Sequence, residues 1–546
     1  MKPVVDTGRE AAHTASGHEG GATFHAWLAR RLADSPDAVF LHEPQRAWTY
    51  REVAGEAERL AAVLAERGAA RGDRMALWLP NGLAWLVGFL ACARLGMIAV
   101  ALNTRFRSQE VGDVVARSGA RWLACWPDYR GIGFRDILRE VPAGLLDGLR
   151  GVIAYGEPMP SDREIAGVPV TPFDQAPDAA CAPATGRAAD GAIVYTTSGT
   201  TAAPKLVLHD QDTLLRHGAA VAAALDVRAG DAVLLAAPLC GAFGFSTALA
   251  ALGGGARLVT SASLDPAELA MLVARTGVTH TFANNELIAR VLDAAEAAQH
   301  DLSSLRYVGF ASFAPGMDAF FDRAERLGVP LAGLYGSSEL QALVAAQPLD
   351  APRETRARAG GRLVAPDARV RVRDPQTGAL LALGEAGELE IRAPSAMRGY
   401  LGNAEATAQA LDDEGWFRTG DLGHASDERT FVFLARRGDA LRLNGFLVHP
   451  AEIEQQIAAL PGVAAAQAVG VEYEGRTVVV AFVVAREGEA PPDEAAMIAQ
   501  CARHLARYKT PRRIALLDAF PVVQSANSNK VQRHRLQEMA RALLQQ

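Results

Sequence analysis

The sequence predicts an α/β protein with a large N-terminal part and a smaller C-terminal unit. The first observation is that helical and strand-like patterns alternate across residues 24–180 and again across 210–335. Residues 50–68 have apolar side chains near helical spacing and end at a glycine, and an apolar strand pattern follows at 74–80. Strands separated by helices indicate largely parallel sheets that are covered on both faces.

The second observation is a change of pattern near residue 360. From about 360 to 435 the chain has short strand-like runs separated by turn signals, such as "RVRVRDPQTG" and "GELEIRA". This pattern favours a small antiparallel, barrel-like subdomain. After Asp439 the helical run "PAEIEQQIAAL" precedes the strand-like run "RTVVVAFVVA" and predicts a smaller unit with both helices and strands.

The composition is that of a buried, globular chain and excludes several classes of function. Of the 546 residues, 49% are hydrophobic and 21% charged, and the formal charge of −7 gives no overall attraction to nucleic acid or anionic membranes. Five cysteines without C-x-x-C spacing argue against a disulfide framework or a structural zinc site. We therefore predict a cytoplasmic protein that binds no nucleic acid.

Two segments have the length or position of a targeting or membrane signal. The first 22 residues lack the apolar core of a signal peptide, and we interpret residues 1–23 as a disordered leader. Residues 232–256 are uncharged and long enough to span a bilayer, but Pro238 and several glycines would break a lipid-exposed helix. A buried strand, loop and helix is the better prediction, with no membrane span.

Lysine is rare in this chain. Only four of the 55 basic residues are lysines, namely Lys2, Lys205, Lys509 and Lys530. Because the ammonium group is compact and guanidinium is a wide planar fork, a tight phosphate or carboxylate site can require lysine. The three internal lysines, Lys205, Lys509 and Lys530, are therefore candidates for such sites, although surface Lys and Arg often interchange.

Residues 196–205, "TTSGTTAAPK", run from an apolar strand into a turn rich in hydroxyl groups. Backbone N–H groups, hydroxyls and a lysine can together surround phosphate oxygens. The run does not fit the G-x-x-x-x-G-K-[ST] pattern of the P-loop. Taken alone, such a run is more often only a polar turn.

This loop and five later motifs resemble, in order, the motifs of the adenylate-forming (AMP-binding) superfamily, and in particular its acyl-CoA synthetase branch. The later motifs are "LYGSSE" (334–339), "GWFRTGDLG" (415–423), "RRGDALRLNGFLVHPAEIE" (436–454), "RYKTPRRI" (507–514) and "PVVQSANSNKVQRHRL" (521–536). The resemblance implies an N-terminal adenylation domain at 24–436, built from two parallel α/β subdomains and the barrel-like one. A mobile α+β C-terminal domain is implied at 437–546.

The resemblance also implies roles for individual residues. The ATP phosphates would be bound by Thr197, Ser198, Gly199, Thr200, Thr201 and Lys205, and the rest of the nucleotide by Ala314, Tyr335, Gly336, Asp421 and Arg436. Asp421 would accept both ribose hydroxyls, and Tyr335 would stack near adenine. Ser338, Glu339 and Lys530 would be catalytic, with Glu339 and Thr200 at Mg²⁺.

Simpler interpretations stay open for four of these positions. Glu339 is followed by a leucine and could be an exposed helix start. Tyr335 follows an apolar strand and could be a core residue. Asp421 follows Thr419 and Gly420 and could belong to a turn. Lys530 could be one charge of a solvated basic face.

The chain also departs from the family pattern. Ala202 and Leu206 replace glycines in and beside the phosphate loop, and Asn529 replaces the glycine before Lys530. In the segment that shapes the acid pocket, Gly241 replaces a common histidine, and Phe313 replaces a glycine. With Cys240, Phe243 and Gly244, these residues predict a pocket for a bulky or ring-bearing acid.

The predicted function is that of an AMP-forming carboxylic acid–CoA ligase that uses ATP, Mg²⁺ and coenzyme A and works through an acyl-adenylate. Asp439 would be the hinge of the C-terminal domain, and Gly445 would face the thiol. A stand-alone enzyme that loads an acyl-carrier protein is one alternative, and a degenerate nucleotide-binding protein without turnover is another. A homodimer is compatible with the sequence.

Overall fold

The computed structural model describes residues 21–129, 132–156, 163–173, 182–197, 204–311, 317–437, 441–443, 446–448, 450–474, 476–505, 507–524 and 529–545. The helices are α1 (Phe24–Asp34), α2 (Tyr50–Glu66), α3 (Leu83–Leu95), α4 (Ser108–Ser118), α5 (Phe134–Arg139), α6 (Gln211–Ala224), α7 (Ala242–Gly254), α8 (Pro266–Thr276), α9 (Asn285–Ala298), α10 (Met317–Arg326), α11 (Arg353–Arg356), α12 (Ala404–Ala410), α13 (Pro450–Ala458), α14 (Glu494–His504) and α15 (Arg533–Leu544). Two short 3₁₀ turns lie at Ser338–Leu340 and Arg507–Lys509.

The strands form two large sheets and several small ones. Up to residue 260 they are β1 (Val39–His42), β2 (Ala47–Thr49), β3 (Arg74–Trp78), β4 (Ile98–Ala101), β5 (Trp122–Cys125), β6 (Asp128–Tyr129), β7 (Ile132–Gly133), β8 (Gly151–Ala154), β9 (Glu164–Ile165), β10 (Val168–Pro172), β11 (Gly191–Thr196), β12 (Leu206–Asp210), β13 (Ala232–Leu234) and β14 (Arg257–Val259). Beyond residue 260 they are β15 (His280–Asn284), β16 (Tyr307–Ala311), β17 (Leu331–Tyr335), β18 (Ala345–Ala346), β19 (Gly360–Leu363), β20 (Arg369–Arg373), β21 (Gly387–Arg392), β22 (Gly399–Tyr400), β23 (Phe417–Asp427), β24 (Thr430–Arg436), β25 (Leu441–Leu443), β26 (Phe446–Val448), β27 (Val463–Tyr473), β28 (Arg476–Ala485), β29 (Arg513–Leu516), β30 (Val522–Gln524) and β31 (Asn529–Val531).

The predicted α/β class is confirmed, and the sheets are mixed. One sheet has the order β2-β1-β14-β13-β15-β16-β17-β18-β19-β24-β23-β21-β20. Its neighbours from β1 through β14, β13, β15 and β16 to β17 are parallel, as the helix–strand alternation predicts. From β18 to β20 the pairing is antiparallel, as predicted for residues 360–435. These antiparallel strands continue the parallel sheet because β18 turns back and pairs with β17.

The second large sheet has the order β22-β12-β11-β4-β3-β5-β8-β10-β9. Its central strands are parallel, whereas β11 and β12 form an antiparallel hairpin whose connection is the predicted phosphate loop. Strand β22 then adds to β12 in the antiparallel direction. This addition places a segment from near residue 400 beside the phosphate loop.

Aromatic packing joins α3 and α7. Helix α7 follows β13 of the first large sheet, and α3 follows β3 of the second. The ring of Phe245 lies 4.6 Å from that of Phe89 and 5.1 Å from that of Trp85. Both helices are buried over nearly their whole length, which explains why residues 232–256 carry no charge. No helix in the described part of the chain is long and apolar enough to cross a membrane.

The C-terminal residues have hydrophobic clusters of their own. Strands β27, β28 and β29 form a three-stranded sheet. One cluster contains Ile453 of α13 and Met497 of α14, and a second contains Leu536 of α15. The domain limits at 436 and 437 stay predictions.

Most of the predicted leader, residues 1–20, lies outside the described residues. Its last three residues are described: the Ala22 amide donates to Asp212 Oδ1 at 2.9 Å, and Thr23 caps α1 by accepting from Ala26 N. A side-chain cap of this kind satisfies an N–H group at the helix start.

Candidate functional site

Several predicted residues lie at the carboxyl end of β17. This strand ends at Tyr335, and the 3₁₀ turn with Ser338 and Glu339 follows directly. Gly336 lies between them, and a Cβ at this position would come within 2.5 Å of the Ala342 Cα atom. The backbone can make this turn only without a side chain there. In open α/β sheets, ligands bind beyond the carboxyl ends of the strands.

Asp421 joins two other predicted nucleotide residues. The Tyr335 hydroxyl donates to Asp421 Oδ2 at 2.5 Å, and Arg436 Nε lies 3.0 Å from Asp421 Oδ1. Asp421 and Arg436 are opposed because β23 and β24 pair at these positions. Asp421 is 3% exposed, which a simple turn residue would not be. A buried carboxylate with a phenol and a guanidinium forms a strongly polar group at the carboxyl end of β17.

Tyr335 is also part of the core. Its ring centroid lies 5.0 Å from that of Phe431 and 5.8 Å from that of Phe433. Burial, followed by the charge of Asp421, raises the pKa of the Tyr335 phenol well above its ordinary value. The hydroxyl therefore stays protonated and acts as a donor to Asp421. Its stacking near adenine stays a prediction.

Two hydrogen bonds hold the two ends of the phosphate loop together. The Thr197 amide donates to Lys205 O at 3.0 Å, and the Lys205 amide donates to Thr197 Oγ1 at 3.2 Å. Ser198, Gly199, Thr200 and Thr201, with Ala202, lie outside the described residues. The structure therefore describes the start of the loop at Thr197 and its end at Lys205.

Tyr400 is a residue of this site that the sequence reasoning missed. Its ring centroid lies 4.5 Å from Lys205 Nζ, and its hydroxyl donates to Glu339 Oε1 at 2.9 Å. Tyr400 is opposite Val207 where β22 joins β12. No motif marked this tyrosine, because only the pairing of strands nearly 200 residues apart brings it to the loop.

We expect Tyr400→Phe to lower kcat for ATP turnover about 10-fold or more, since one charge-assisted hydrogen bond contributes about 1.5 kcal/mol or more. The ring against Lys205 is retained, so only the orientation of Glu339 should change. Burial, followed by the charge of Glu339, raises the Tyr400 pKa, which keeps the hydroxyl protonated. Steady-state kinetics with varied Mg²⁺ would measure the effect, and an unchanged kcat would contradict it. Tyr307→Phe is the control, because this buried hydroxyl donates to Gln347 O.

The predicted acid-pocket residues Cys240 and Gly241 lie at the start of α7 and are buried. The loop before them is fixed by Asn81, whose Nδ2 donates to Ala237 O at 2.9 Å and whose Oδ1 accepts from Leu239 N at 2.7 Å. Asn81 was not predicted. A Cβ on Gly244 would lie 2.1 Å from Pro238 O, so this glycine is required by the close approach of helix and loop. Phe243 is buried, and Phe313 and Ala314 lie outside the described residues.

The predicted catalytic residue of the C-terminal part is described only by its backbone. Lys530 lies in β31, opposite Val523 of β30. Its side chain, together with Asp439 and Gly445, lies outside the described residues. Lys509 is a contrasting case, because its ammonium group pairs with Glu452.

Within the ranges that the structure describes, no three His, Cys, Asp or Glu residues are grouped so as to hold a metal ion. Glu339 is a single carboxylate, and its Oε1 accepts from the Tyr400 hydroxyl. A lone carboxylate suits an ion that is held mainly by substrate phosphates and water, which is the usual mode for Mg²⁺.

The fold and these contacts define a class of nucleotide-binding α/β enzymes with a second, smaller C-terminal unit. Family models of the "AMP-binding enzyme" and the "AMP-binding enzyme C-terminal domain" match residues 28–401 and 452–527. The chain belongs to the AMP-binding enzyme family.

Two curated relatives and one solved structure illustrate the similarity. The chain is 32% identical over 508 residues to 3-[(3aS,4S,7aS)-7a-methyl-1,5-dioxo-octahydro-1H-inden-4-yl]propanoyl:CoA ligase of Mycobacterium tuberculosis, covering 91% of this chain and 96% of that protein. It is 30% identical to 2-succinylbenzoate–CoA ligase of Geobacillus kaustophilus, covering 91% and 95%. The crystal structure of ATP-bound MatB from Rhodopseudomonas palustris superposes with a TM-score of 0.79 at 25% identity, covering 95% of this chain and 99% of that one.

Proposed function

We propose that this protein is an ATP-dependent carboxylic acid–CoA ligase that forms AMP and works through an acyl-adenylate. The observation that carries the proposal is the short segment 335–339, which joins two groups of side chains. Tyr335 at one end contacts Asp421, and Glu339 at the other contacts Tyr400, whose ring lies against Lys205. A nucleotide with its ribose at Asp421 and its phosphates near Lys205 would lie along this segment.

In the first half-reaction a carboxylate oxygen of the acid attacks the α-phosphorus of ATP. A new P–O bond forms, the bond to the β-phosphate breaks, and pyrophosphate leaves. Lys205 would hold the leaving phosphates, and Ser338 would hold the α-phosphate. Lys530 would lie between the two anions and offset their repulsion, which is how fixed cations promote phosphoryl transfer.

In the second half-reaction a thiolate attacks the acyl carbonyl carbon, the C–S bond forms, and AMP leaves with the oxygen of the mixed anhydride. The C-terminal domain would turn near Asp439 between the two steps, moving Lys530 away and bringing Gly445 to the thiol. A rotation about a short connecting segment is a common form of domain motion. Division of the reaction into two steps through an activated intermediate makes each step accessible.

Mg²⁺ is the proposed metal, bound by Glu339 and Thr200 with the phosphates. It would neutralise charge on the transferred phosphate. The Tyr400 hydroxyl on Oε1 of Glu339 orients this carboxylate for such a role. The cytoplasmic location and the homodimer stay predictions.

The proposed substrates are bulky or ring-bearing organic acids. Support comes from the two relatives above, whose names specify an indane-type propanoate and a benzoate. It also comes from Gly241, which leaves the start of α7 without a side chain next to the buried Cys240.

The proposal is tested by acid-dependent release of pyrophosphate from Mg·ATP over a panel of carboxylic acids, with and without CoA. We expect release with aromatic and alicyclic acids and formation of AMP and a thioester only when CoA is present. Pyrophosphate release with a thioester that forms on an added acyl-carrier protein and not on CoA would replace the proposal with carrier loading. No release with any acid would indicate a nucleotide-binding protein without turnover.

We expect Gly241→His to lower kcat/KM for large acids relative to acetate by about 5-fold or more, because an added imidazole fills part of the pocket and overpacking costs about 1–3 kcal/mol. The measurement is the ratio of kcat/KM values across the acid panel. An unchanged ratio would contradict the assignment of Gly241 to the acid pocket.

A further inference from the structure

The turn that carries Ser338 and Glu339 is followed by an unusual backbone. Gln341, Ala342 and Leu343 have φ values of 61°, 48° and 34°, and none of them is glycine. Residues other than glycine usually enter the left-handed region singly, and each such position costs about 1–2 kcal/mol. We call residues 341–343 the left-handed segment. Its strain persists because the surrounding structure holds it, and strain of this kind concentrates at functional sites.

Short backbone bonds tie the left-handed segment to the predicted site. The Ala342 amide donates to Ser337 O at 2.7 Å, and the Val344 amide donates to Tyr335 O at 3.0 Å. Ser338 and Glu339 lie inside this closed loop. Their position is therefore set by whatever holds the left-handed segment from behind.

Two fully buried side chains hold it from different elements. Ser246 of α7 donates its hydroxyl to Gln341 O. His209 of β12 bonds through Nε2 to Ser338 O at 2.8 Å, and its Nδ1 lies 3.1 Å from Gln341 Nε2. The side chains of Ser246, His209 and Gln341 are each 0% exposed. The helix that begins at the acid pocket and the strand that begins beside Lys205 thus meet at this turn.

The partners of His209 fix its protonation. A carbonyl oxygen can only accept, so Nε2 carries the proton and donates it to Ser338 O. The amide of Gln341 donates to Nδ1, which must then be unprotonated. Burial lowers the His209 pKa to about 4, which keeps the ring neutral, as both bonds require. His217 of α6 lies next to His209. Its pKa is lowered to about 3, first by burial and then by the neighbouring His209.

We propose that His209 is a positioning residue for adenylate formation: with Ser246 it fixes the strained turn so that Ser338 and Glu339 face the nucleotide at a set distance from Lys205. His209 does not touch substrate. It acts through the Ser338 carbonyl, and its strand β12 begins directly after Lys205 of the phosphate loop. The catalytic part of this proposal rests on the proposed ligase function.

The test compares three variants of the full chain. His209→Phe keeps a ring but removes both bonds, and His209→Gln keeps an N–H donor at the position of Nε2. His280→Phe is the matched control, because His280 is 1% exposed and bonds to Leu225 O at 3.0 Å and to Thr279 Oγ1 at 2.8 Å in β15. The His280→Phe variant thus loses two comparable hydrogen bonds at a position away from the turn.

We expect His209→Phe to lower kcat for acid-dependent pyrophosphate release about 10- to 100-fold, since small displacements of positioning groups cost up to about 10²-fold. The KM for the acid should change less than about 2-fold, because the acid pocket is unaltered. His209→Gln should recover most of the rate, and His280→Phe should keep kcat within about 3-fold of the wild type. A wild-type kcat in His209→Phe, or an equal loss in His280→Phe, would overturn the proposal.

Amide hydrogen exchange provides a readout that does not depend on activity. His209→Phe should accelerate exchange at residues 338–344, and His280→Phe should not. If His209→Phe does not fold, Ser246→Ala serves instead, with a smaller effect in the same residues. If exchange is faster in His209→Phe but the wild-type protein releases no pyrophosphate with any acid, the ligase function is refuted. The structural role of His209 is then retained. Unchanged exchange in the variants would refute that role.

Discussion

Replacement of Lys530 by alanine is expected to lower the rate of acyl-adenylate formation about 10²- to 10³-fold, the usual cost of removing one group that stabilises transition-state charge. Thioester formation from supplied acyl-adenylate and CoA should change less than about 3-fold, since the proposed turn of the C-terminal domain has by then moved Lys530 away from the reacting atoms. The two half-reactions are measured separately, by pyrophosphate release and by AMP release from synthetic acyl-adenylate.

Lys509→Ala is the matched control for Lys530→Ala. It removes the other lysine of the C-terminal part, one that pairs with Glu452 and carries no proposed catalytic role. We expect Lys509→Ala to keep both half-reactions near wild-type rates. Equal losses in both half-reactions for Lys530→Ala would refute the division of roles between the two domain positions.

Asp421→Asn is expected to lower kcat/KM for ATP about 10- to 100-fold, because hydrogen bonds to charged groups contribute about 1.5–3 kcal/mol. The change keeps the shape of the side chain. It removes the charge that pairs with Arg436 and one of the oxygens that can accept from Tyr335 or from ribose. The KM for the acid should stay nearly constant.

Deoxynucleotides make this prediction specific to the ribose. Wild-type protein should discriminate against 2′-deoxy-ATP and 3′-deoxy-ATP, and Asp421→Asn should lose most of this discrimination, since the two changes remove the same contact. Asp427→Asn is the control on the same strand, because Asp427 accepts from the Arg429 amide in an exposed turn. Discrimination that persists in Asp421→Asn would show that the ribose is bound elsewhere.

Much of the fold and of the proposed site was predictable from local patterns. Helix–strand alternation predicted the parallel strands up to β17, because burial on both faces leaves a continuous apolar signal. The change to short strands predicted the antiparallel part that includes Asp421 and Arg436. The uncharged run 232–256 was correctly interpreted as β13, a loop and α7, since glycine and proline interrupt it.

Other features had no local signal. That the antiparallel strands extend the first sheet depends on the pairing of β17 with β18, and sequence patterns do not specify which strand edges meet. Asn81 looks like an ordinary loop residue until its side chain is seen to hold the loop before Cys240. His209 lies in an apolar strand, where a buried histidine carries no sign of its partner.

The sequence by itself determined the class of this protein and the motif positions of Lys205, Tyr335, Glu339 and Asp421, because these depend on residue identity and short spacing. Only the tertiary structure decided what orients them: Tyr400 against Lys205 and Glu339, and His209 with Ser246 behind the strained turn. The physical reason is that hydrogen bonds between distant segments form only when strand pairing and helix packing bring those segments together, and a single sequence does not encode such contacts in any local pattern.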